Sequence, residues 1–512
     1  MSAPRHDVTL TLVPSGARQS FPAGTLLADA LFDMGVEVAT PCGGRGTCGK
    51  CGVTPAGGED DVLACRTPIM DDMKVHAAQA QSEHAVRFPV VHAESRFSAA
   101  VDIGTTTVKM SLVDISGNIS FEVASFLNPQ RRFGHDVISR IAAGSEPSNL
   151  KALQGLIRKA IAVRLGRILK GVNLAEDRLD KIIFSGNTTM LYLLFGLEVE
   201  SLGRHPYPAQ VRDFPGLPAG EIGLEGIASA HACALPVLSA FIGADLVGAL
   251  AWCHDRGITR NAFFIDLGTN GELFVLDNSG RPYAASCAMG PALEGMNISW
   301  GMTADAGAIT HVLEEAGSLR YEMIGPGNPA GITGTALVDL VAMALDKGIV
   351  SSRGSFARDP GGGSLATPLH FREGPGMREL CLWGDIRLTQ QDIRQVQLAK
   401  AASLSAARFL LEAAGCRAAD IEHVLIAGAF GEHLDLQHFS RLGFLPDFPG
   451  ACQEFLGNTS LKACEKACME PDFTERAAAL RDRTQEVVLS SLPGFQGVFI
   501  QALDFPVGRK VT

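Results

Sequence analysis

Short alternating runs of apolar and polar residues begin the chain. Residues 8–13 (VTLTLV) alternate with the period of two that is typical of a half-buried strand, and a second short run follows the turn at 14–17. The two runs predict a β-hairpin. Residues 26–34 (LLADALFDM) have helical spacing, and Thr25 is expected to cap this helix before Gly35 ends it. With a last strand at 73–77, this part predicts a small β-rich unit containing one helix.

The pattern changes after residue 97, where longer apolar runs alternate with helical stretches. Strand-like runs include AAVDI, KIIFSG, AFFIDLG, ELFVLD and HVLIAG, and helical spacing is clear over 149–170, 335–347 and 390–414. Alternation of this kind predicts sheets covered by helices, so the whole chain is a multidomain α/β (α+β) protein. Residues 81–97 are polar and weakly patterned and predict a linker, and the Gly-rich stretch 351–376 predicts an exposed loop.

Composition narrows the function classes. The chain has 512 residues, and about 150 residues per domain gives two to four domains. A formal charge of −11, with 44 basic and 55 acidic residues, argues against nucleic-acid binding. The longest apolar stretch, 236–252, is interrupted by Asp245, so no membrane span is expected. The first residues lack the pattern of a signal peptide, and we therefore expect a cytoplasmic protein.

Four of the 12 cysteines form a group near the start of the chain. Cys42, Cys48, Cys51 and Cys65 follow the spacing C-x5-C-x2-C-x13-C, and in a reducing compartment such thiols suit an Fe–S cluster or zinc. A zinc ribbon usually shows two C-x2-C hooks, and one is present here. The spacing is close to the C-x4-C-x2-C of plant-type [2Fe–2S] domains. It favours [2Fe–2S] over zinc or over four structural thiols.

A strand followed by an Asp and a Gly-Thr turn occurs twice, about 164 residues apart. Gly lets the backbone approach a phosphate, and successive N–H groups and hydroxyls supply donors to its oxygens. The residues of this pattern are Asp102, Gly104, Thr105, Thr106 and Thr107 in the first copy, and Asp266, Gly268, Thr269, Asn270 and Gly271 in the second. Both copies are therefore candidate phosphate hairpins.

Catalytic roles and a third loop are predicted from the same pattern. Each hairpin Asp, Asp102 and Asp266, can hold Mg²⁺ through water, while Glu272 or Asp245 can orient the attacking water. The stretch IAGAFGEHLD (426–435) follows an apolar strand, and its Gly-rich part can close over a nucleoside. The residues of this third loop are Gly428, Ala429, Phe430 and Gly431.

These motifs resemble two known groups of proteins. Residues 5–80 are similar to [2Fe–2S] ferredoxins, which implies a β-grasp fold. The two hairpins with the AGAFG loop resemble the actin, sugar kinase and heat-shock ATPase superfamily. That resemblance implies ATP in a cleft between two ribonuclease-H-like lobes. The chain contains neither a Walker A motif nor G-x-G-x-x-G, so a P-loop or dinucleotide-binding fold is not expected.

The combination resembles one family, the reductive activators of corrinoid-dependent methyltransferases. Stretches such as SGNTTMLYLLFG (185–196), SCAMGPALEGMNISWGM (286–302) and LGNTSLKAC (456–464) also fit that family. The resemblance implies ATP-dependent one-electron reduction of an inactive Co(II) corrinoid to Co(I). It also implies a [2Fe–2S] cluster, Mg²⁺, an external low-potential electron donor, a corrinoid protein as partner, and a homodimer.

The predicted domains are a ferredoxin-like domain at 1–80, the linker at 81–97 and the ATPase domain at 98–512, with lobes at 98–258 and 259–512. The family is expected to have a longer linker and a middle domain, whereas this chain passes from the ferredoxin-like domain to the ATPase domain within about 20 residues. The segment between Cys51 and Cys65 is also short. Trp300 and Thr333 also stand where the family commonly has other residues.

Two alternatives stay open. One is another ATP-driven electron injector, similar to the activators of 2-hydroxyacyl-CoA dehydratases. Those activators hold a cluster between two subunits and lack an N-terminal ferredoxin. The other is a redox-sensing scaffold that binds nucleotide without turnover.

Three late cysteines, Cys452, Cys464 and Cys468, do not have the spacing of a cluster and are expected to be ordinary thiols.

Overall fold

The computed structural model of the protein describes residues 6–34, 36, 38, 46, 49–58, 60–76, 95–134, 136–315, 318–357, 370–373, 378–428 and 434–507. The predicted sites at Cys42, Cys48, Ala429, Phe430 and Gly431, and most of the predicted linker, lie outside these residues. In the part of the chain that is described, no helix is both long and apolar enough to cross a membrane.

The N-terminal unit (residues 6–76) is built on a five-stranded sheet. Its elements are β1 (Asp7–Val13), β2 (Arg18–Pro22), β3 (Thr25–Leu26), α1 (Leu27–Asp33), β4 (Gly52–Pro55), β5 (Val62–Leu63), β6 (Pro68–Ile69) and β7 (Met73–His76). The strand order is β2-β1-β7-β4-β5, with β1 antiparallel to β2 and parallel to β7. Alternate residues of β1 point into a small core under α1. The predicted hairpin and the predicted helix that follows it are confirmed.

The predicted cap of the first helix is wrong. Thr25 pairs with Ile69 in the short ladder of β3 and β6, and its hydroxyl donates to the carbonyl oxygen of Pro22 at 2.7 Å. The helix begins after Leu26, which has no side-chain cap. Pairing with a distant strand has overridden the local capping preference of Thr.

The first lobe is a six-stranded sheet in the order β10-β9-β8-β11-β13-β12. Its strands are β8 (Phe97–Ile103), β9 (Thr107–Asp114), β10 (Ile119–Leu127), β11 (Leu179–Gly186), β12 (Phe214–Pro218) and β13 (His231–Ala234). Its helices are α2 (Val137–Gly144), α3 (Pro147–Gly171), α4 (Thr188–Phe195) and α5 (Ala244–Asp255). The run 236–252, which Asp245 interrupts, thus ends in α5, and Asp245 lies in the first turn of that helix.

The second lobe is a six-stranded sheet in the order β24-β23-β14-β15-β16-β25, with two smaller sheets beside it. Its strands are β14 (Ala262–Leu267), β15 (Asn270–Leu276), β16 (Pro282–Ala288), β17 (Ala308–Glu315), β18 (Ser318–Met323), β19 (Gly331–Ile332), β20 (His370–Glu373), β21 (Arg378–Cys381), β22 (Arg387–Leu388), β23 (His423–Ala427), β24 (Cys452–Gly457) and β25 (Gln485–Glu486). Its helices are α6 (Gly334–Asp346), α7 (Gln390–Ala413), α8 (Leu436–Leu442) and α11 (Phe495–Gln501). The predicted helices at 335–347 and 390–414 are confirmed within one residue, whereas β20 lies in the predicted loop 351–376.

Two late helices return to the first lobe. The helices α9 (Thr459–Met469) and α10 (Phe473–Arg483) follow β24, and their apolar residues belong to the same buried core as β8 and β11. The lobe boundary near residue 258 stays a prediction. The segment 459–483 packs with the sheet on the other side of that boundary, and this return brings the start of α9 to the end of β8.

Candidate functional site

The two predicted phosphate hairpins meet in the structure. Each hairpin joins two antiparallel strands, β8 to β9 and β14 to β15, and the turn between the strands carries the Gly-Thr pair. The hydroxyl oxygens of Thr106 and Thr269 lie 3.0 Å apart, so the two turns are in direct contact. Asp266 is in register with Glu272 on the neighbouring strand, which places both carboxylates at the same end of the hairpin.

A cleft of about 1250 Å³ opens between the two hairpins and continues to the N-terminal unit. A cavity of this size is large enough for a nucleotide. Among the predicted site residues, those that line it are Asp102, Gly104, Thr105, Thr106, Thr107, Asp266, Gly268, Thr269, Asn270, Glu272 and Gly428, and Asp245 lines it with them.

Gly271 has a different place. It does not line the cleft; it pairs with Cys287 of β16, and a Cβ atom there would lie 2.5 Å from the sulfur of Met289. The absence of a side chain at this position therefore serves the packing of β15 and not the approach of a phosphate.

Asp102 at the end of β8 is held by two residues of the late segment. Asn458 Nδ2 donates to Asp102 Oδ2 and Ser460 Oγ donates to Asp102 Oδ1, both at 2.7 Å. Burial raises the pKa of Asp102, and the two hydrogen bonds oppose this increase. Both donors lie in the stretch LGNTSLKAC (456–464), for which the motifs indicated no role. Asn458 also caps α9, so an Asn before a run with helical spacing is the signal that points to it.

Three further carboxyl groups share the buried floor of the cleft. Burial, with help from nearby carboxylates, raises the pKa of Asp266 to about 8 and that of Asp245 to about 7. Burial and the negative charges of Asp245 and Asp266 also raise the pKa of Glu272 well above its ordinary value. Carboxylates crowded in this way ionise readily only when a cation neutralises them.

The described residues of the cleft do not form a site in which several side chains bind a metal ion directly. Within the described ranges, no three His, Cys, Asp or Glu side chains converge closely enough to hold a metal ion. Mg²⁺ usually keeps several of its waters and uses one or two carboxylates together with phosphate oxygens. The carboxylates present suit that kind of binding.

The third loop begins against the second hairpin. Gly428 has φ +106°, and a Cβ atom there would lie 2.6 Å from the carbonyl oxygen of Leu267 and 2.9 Å from Asp266 Oδ1. Both the positive φ and the close approach require Gly. Of the four residues predicted for this loop, Gly428 is the one the structure describes, and it lies in the cleft.

Two other residues that contact the hairpins have no role that the sequence motifs indicate. Asn187 Nδ2 donates to Thr105 Oγ1 at 3.0 Å. Glu294 accepts from the backbone N and the hydroxyl of Thr269, at 3.0 and 3.1 Å. Both lie in stretches that were quoted for the family resemblance, SGNTTMLYLLFG and SCAMGPALEGMNISWGM, where no spacing rule distinguishes them.

A buried guanidinium lies behind the first hairpin. Arg140 is fully buried and donates to the carbonyl oxygens of Thr105 and Gly134, and burial lowers its pKa to about 10. Asp136, four residues earlier, instead caps α2 by accepting from the backbone N of Ser139. Arg140 therefore supports the shape of the hairpin from behind.

Two of the four predicted cluster ligands are described, and they lie together. The sulfur atoms of Cys51 and Cys65 are 3.2 Å apart and both residues are buried. This distance is well beyond the ~2.05 Å of a disulfide bond, and no disulfide joins them. Two buried sulfur atoms at this separation fit ligation of a common metal centre.

The late cysteines lie in different surroundings. Cys464 and Cys468 on α9 are buried, and their thiols point to the carbonyl oxygens of Val101 and Ala99 in β8, while Cys452 is exposed on β24. Burial raises the pKa of both α9 thiols, which disfavours the thiolate that a metal needs.

The N-terminal unit contacts the first lobe through the end of α1. Phe32 packs on the core of that lobe, under the guanidinium of Arg164 at 5.8 Å. Lys159 Nζ donates to the carbonyl oxygen of Asp33 at 2.9 Å, and Arg132 lies 3.5 Å from the carboxylate of Asp33. Positive groups at the C-terminal end of a helix are favourable. This contact places the unit at the open side of the cleft, and residues of α1 line it.

Comparison with known protein families agrees with this architecture. Residues 260–511 match the model described as the C-terminal domain of RACo, the ASKHA domain, and residues 97–254 match the RACo middle region. Together the two models account for most of the chain. The chain belongs to the RACo family. Its C-terminal domain therefore has the actin-like ATPase fold that the hairpins predicted.

Relatives of this RACo-family chain cover most of its length. The corrinoid activation enzyme RamQ of Eubacterium limosum is 28% identical over 92% of this chain and 94% of its own. A [Co(II) methylated amine-specific corrinoid protein] reductase of Methanosarcina barkeri is 25% identical over 73% of this chain and 70% of its own. A solved reductive activator for a corrinoid, iron-sulfur protein shares the fold, with TM-score 0.74 and 24% identity over 98% of both chains.

One expectation from the RACo-family resemblance is wrong. The short connection after the N-terminal unit suggested that the middle domain is missing, but residues 97–254 match the middle region of the family. These residues form the first lobe described above. The division of the ATPase domain into two lobes stays a prediction.

Proposed function

We propose that this protein is an ATP-dependent reductive activator that returns an inactive Co(II) corrinoid protein to Co(I) in the cytoplasm. The observation that carries the proposal is a single cleft with two ends. One end has the paired hairpins of Thr106 and Thr269, and the other reaches the unit that contains Cys51 and Cys65. Membership of the RACo family and the named relatives support it.

ATP is expected to lie along the hairpins. The backbone N–H groups and hydroxyls of Gly104–Thr107 and Gly268–Asn270 would bind its phosphates, and the loop from Gly428 to Gly431 would cover the nucleoside. Asp102 and Asp266 would hold Mg²⁺ through water. Glu272 is proposed to orient the attacking water and to accept its proton, because a carboxylate with a raised pKa is a better base near neutral pH.

The N-terminal unit is proposed to be a ferredoxin-like domain with a [2Fe–2S] cluster on Cys42, Cys48, Cys51 and Cys65. The buried sulfur pair of Cys51 and Cys65 fits this assignment, as does the presence of one C-x2-C hook. When bound, the cluster supplies a one-electron carrier. The chain buries both described sulfur atoms in the unit's core.

ATP is needed because the electron must reach a very low potential. A plant-type cluster has a reduction potential of about −400 mV. Each further 59 mV lowers the equilibrium constant for transfer of one electron about tenfold. An external low-potential donor supplies the electron that converts Co(II) to Co(I). Nucleotide-dependent movement of the lobes would change how the protein holds its partner, which is the route by which ATP can assist this transfer. A homodimer is proposed from the family.

The experiment follows the visible spectrum of cobalt. Purified protein with its cluster reconstituted is mixed with a Co(II) corrinoid protein and a reductant, with and without MgATP. We expect Co(I) to appear only with MgATP, and ATP hydrolysis to increase when the partner is added. A scaffold that only senses redox state would show neither response. If Co(I) forms at the same rate without ATP, the proposal fails for that partner.

A further inference from the structure

Glu294 occupies donors that a phosphate would need. It ends the 3₁₀ turn Pro291–Glu294 of the second lobe, and it is part of the cleft wall. Its two carboxylate oxygens accept from the backbone N of Thr269 at 3.0 Å and from the Thr269 hydroxyl at 3.1 Å. In a hairpin of this kind, those are the groups that face phosphate oxygens. A carboxylate is thus bound where an anionic ligand is expected.

The same carboxylate is connected to the first lobe. The hydroxyl of Thr106 lies 3.0 Å from that of Thr269, and hydrogen bonds from both Thr106 and Thr269 lower the pKa of Glu294, although burial raises it more. Glu294, Thr269 and Thr106 therefore form a chain of hydrogen bonds across the cleft. This chain joins the two lobes at the point where the hairpins touch.

The backbone of Glu294 has little freedom to move. A Cβ atom on Gly334 would lie 1.9 Å from the carbonyl oxygen of Leu293, and one on Gly295 would lie 2.2 Å from that of Met302. The residues on both sides of Glu294 are thus in tight contact with other backbone. Any response to a ligand must come from the side chain of Glu294, which can change rotamer, or from the hairpins.

We infer that Glu294 is an internal competitor of the nucleotide phosphate: its carboxylate binds the donors of Thr269, and a phosphate of ATP must displace it. The inference rests on the ATP site proposed above. Displacement also removes the hydrogen bond between Thr106 and the Glu294 carboxylate, which runs from one lobe to the other. Phosphate binding and this Glu294–Thr106 contact then exclude each other, which gives ATP a direct way to act on the contact between the lobes.

Other roles for Glu294 lead to different results. If Glu294 were a catalytic base, its replacement would lower the hydrolysis rate and leave the Kd for MgATP unchanged. A magnesium ligand, or a residue that merely supports the hairpin, would weaken nucleotide binding when replaced. A competitor has the opposite sign, because its removal leaves the Thr269 donors available and strengthens binding.

The test compares the full-length protein with Glu294→Gln and Glu294→Asp by calorimetric titration with MgATP. Gln keeps one acceptor oxygen and loses the charge, and Asp keeps the charge but is shorter by one methylene. We expect both variants to bind MgATP with a Kd lower by about tenfold, corresponding to about 1.4 kcal/mol. The rate of hydrolysis in a single turnover should not increase by the factor by which the Kd falls.

Glu422→Gln is the matched control. Glu422 belongs to the same lobe, accepts a hydrogen bond from Asn261 at 2.7 Å and is exposed away from the cleft. The Kd of this variant for MgATP should therefore equal that of the unchanged protein. Thermal unfolding of each variant shows whether it is folded, and if Glu294→Gln does not fold, Glu294→Asp decides.

Three results would overturn the inference. Unchanged or weaker MgATP binding in both Glu294 variants contradicts it while the proposed ATP site stands. A stronger affinity in Glu294→Gln alone assigns the effect to charge and not to occupied donors. If the unchanged protein does not bind MgATP at all, the proposed function fails first and the inference fails with it.

Discussion

At the scale of single residues, the cleft combines buried carboxylates with side chains that hold them. Asp102 has both oxygens engaged by Asn458 and Ser460. Asp266 has a pKa raised to about 8, and no side chain among the described residues donates to it in the same way. The two hairpin Asp residues are alike in sequence but differ in surroundings. We therefore expect Asp102 to be a fixed part of the wall and Asp266 to respond to protons and cations.

The pH dependence of stability should report on Asp266. Its pKa is raised to about 8 in the folded protein, whereas an unfolded Asp has a pKa of about 3.9. Below pH 4 both states hold the proton. Between about pH 4 and 8 the folded state binds more protons, so the free energy of unfolding falls as the pH rises. Thermal unfolding without Mg²⁺ should show this decline, and Asp266→Asn should make it shallower. Equal slopes would contradict the assignment.

The cysteine assignment has a direct test. Cys51→Ser should abolish the visible absorption of the reconstituted cluster and the reduction of the corrinoid, because one of four ligands is lost. Nucleotide binding should be unaffected, since Cys51 lies in the N-terminal unit. Cys452→Ser is the control, because that thiol is exposed on β24 and should be dispensable for both. An intact cluster spectrum in Cys51→Ser would refute the ligand set.

At the scale of elements, close backbone contacts set the position of the turn that carries Glu294. The N-terminus of α6 lies directly against Leu293, with no space for a side chain at Gly334. Helical spacing predicted α6 within one residue because its apolar face is a local property. The contact of its first residue with a turn about 40 residues earlier depends on how the two elements pack, and no periodicity shows it.

Gly334→Ala should therefore destabilise the protein. Overpacking against backbone typically costs about 1–3 kcal/mol, and the free energy of unfolding in urea would measure it. The matched control is Gly166→Ala in α3, where nothing lies within 4 Å of the new Cβ atom. That change should stabilise the protein by about 0.5–1 kcal/mol because Ala is a better helix former than Gly. Similar effects of the two substitutions would contradict the packing argument.

At the scale of the whole molecule, the position of the N-terminal unit decides whether its cysteines and the nucleotide cleft can act together. The unit rests on the first lobe through Phe32 and through charged contacts of Asp33. Exposed ion pairs contribute little, about 0–1 kcal/mol each. Among the contacts of the described residues, Phe32 should therefore contribute the most docking free energy.

Phe32→Ala should loosen this docking without unfolding the unit, because Phe32 packs on the core of the lobe and not on that of its own unit. A loss of about 1–2 kcal/mol changes the docked-to-undocked ratio by a factor of about 5–30. Faster hydrogen exchange in α1 and a larger radius of gyration would show it. Met70→Ala is the control, since that side chain is 55% exposed elsewhere in the unit. Identical exchange in both variants would argue against docking through Phe32.

Local pattern alone determined the first hairpin, the longest helices, the paired Asp-Gly-Thr hairpins and the cysteine group, because strand and helix periods and turn residues depend on neighbours in the chain. The tertiary structure decided what those motifs touch. It brought Thr106 to Thr269 and Asn458 and Ser460 to Asp102, and it placed Glu294 on donors expected to bind phosphate. These contacts join residues 25 to 358 positions apart. The longer ones exist only because late helices return to the first sheet and two sheets pack with their hairpins facing each other.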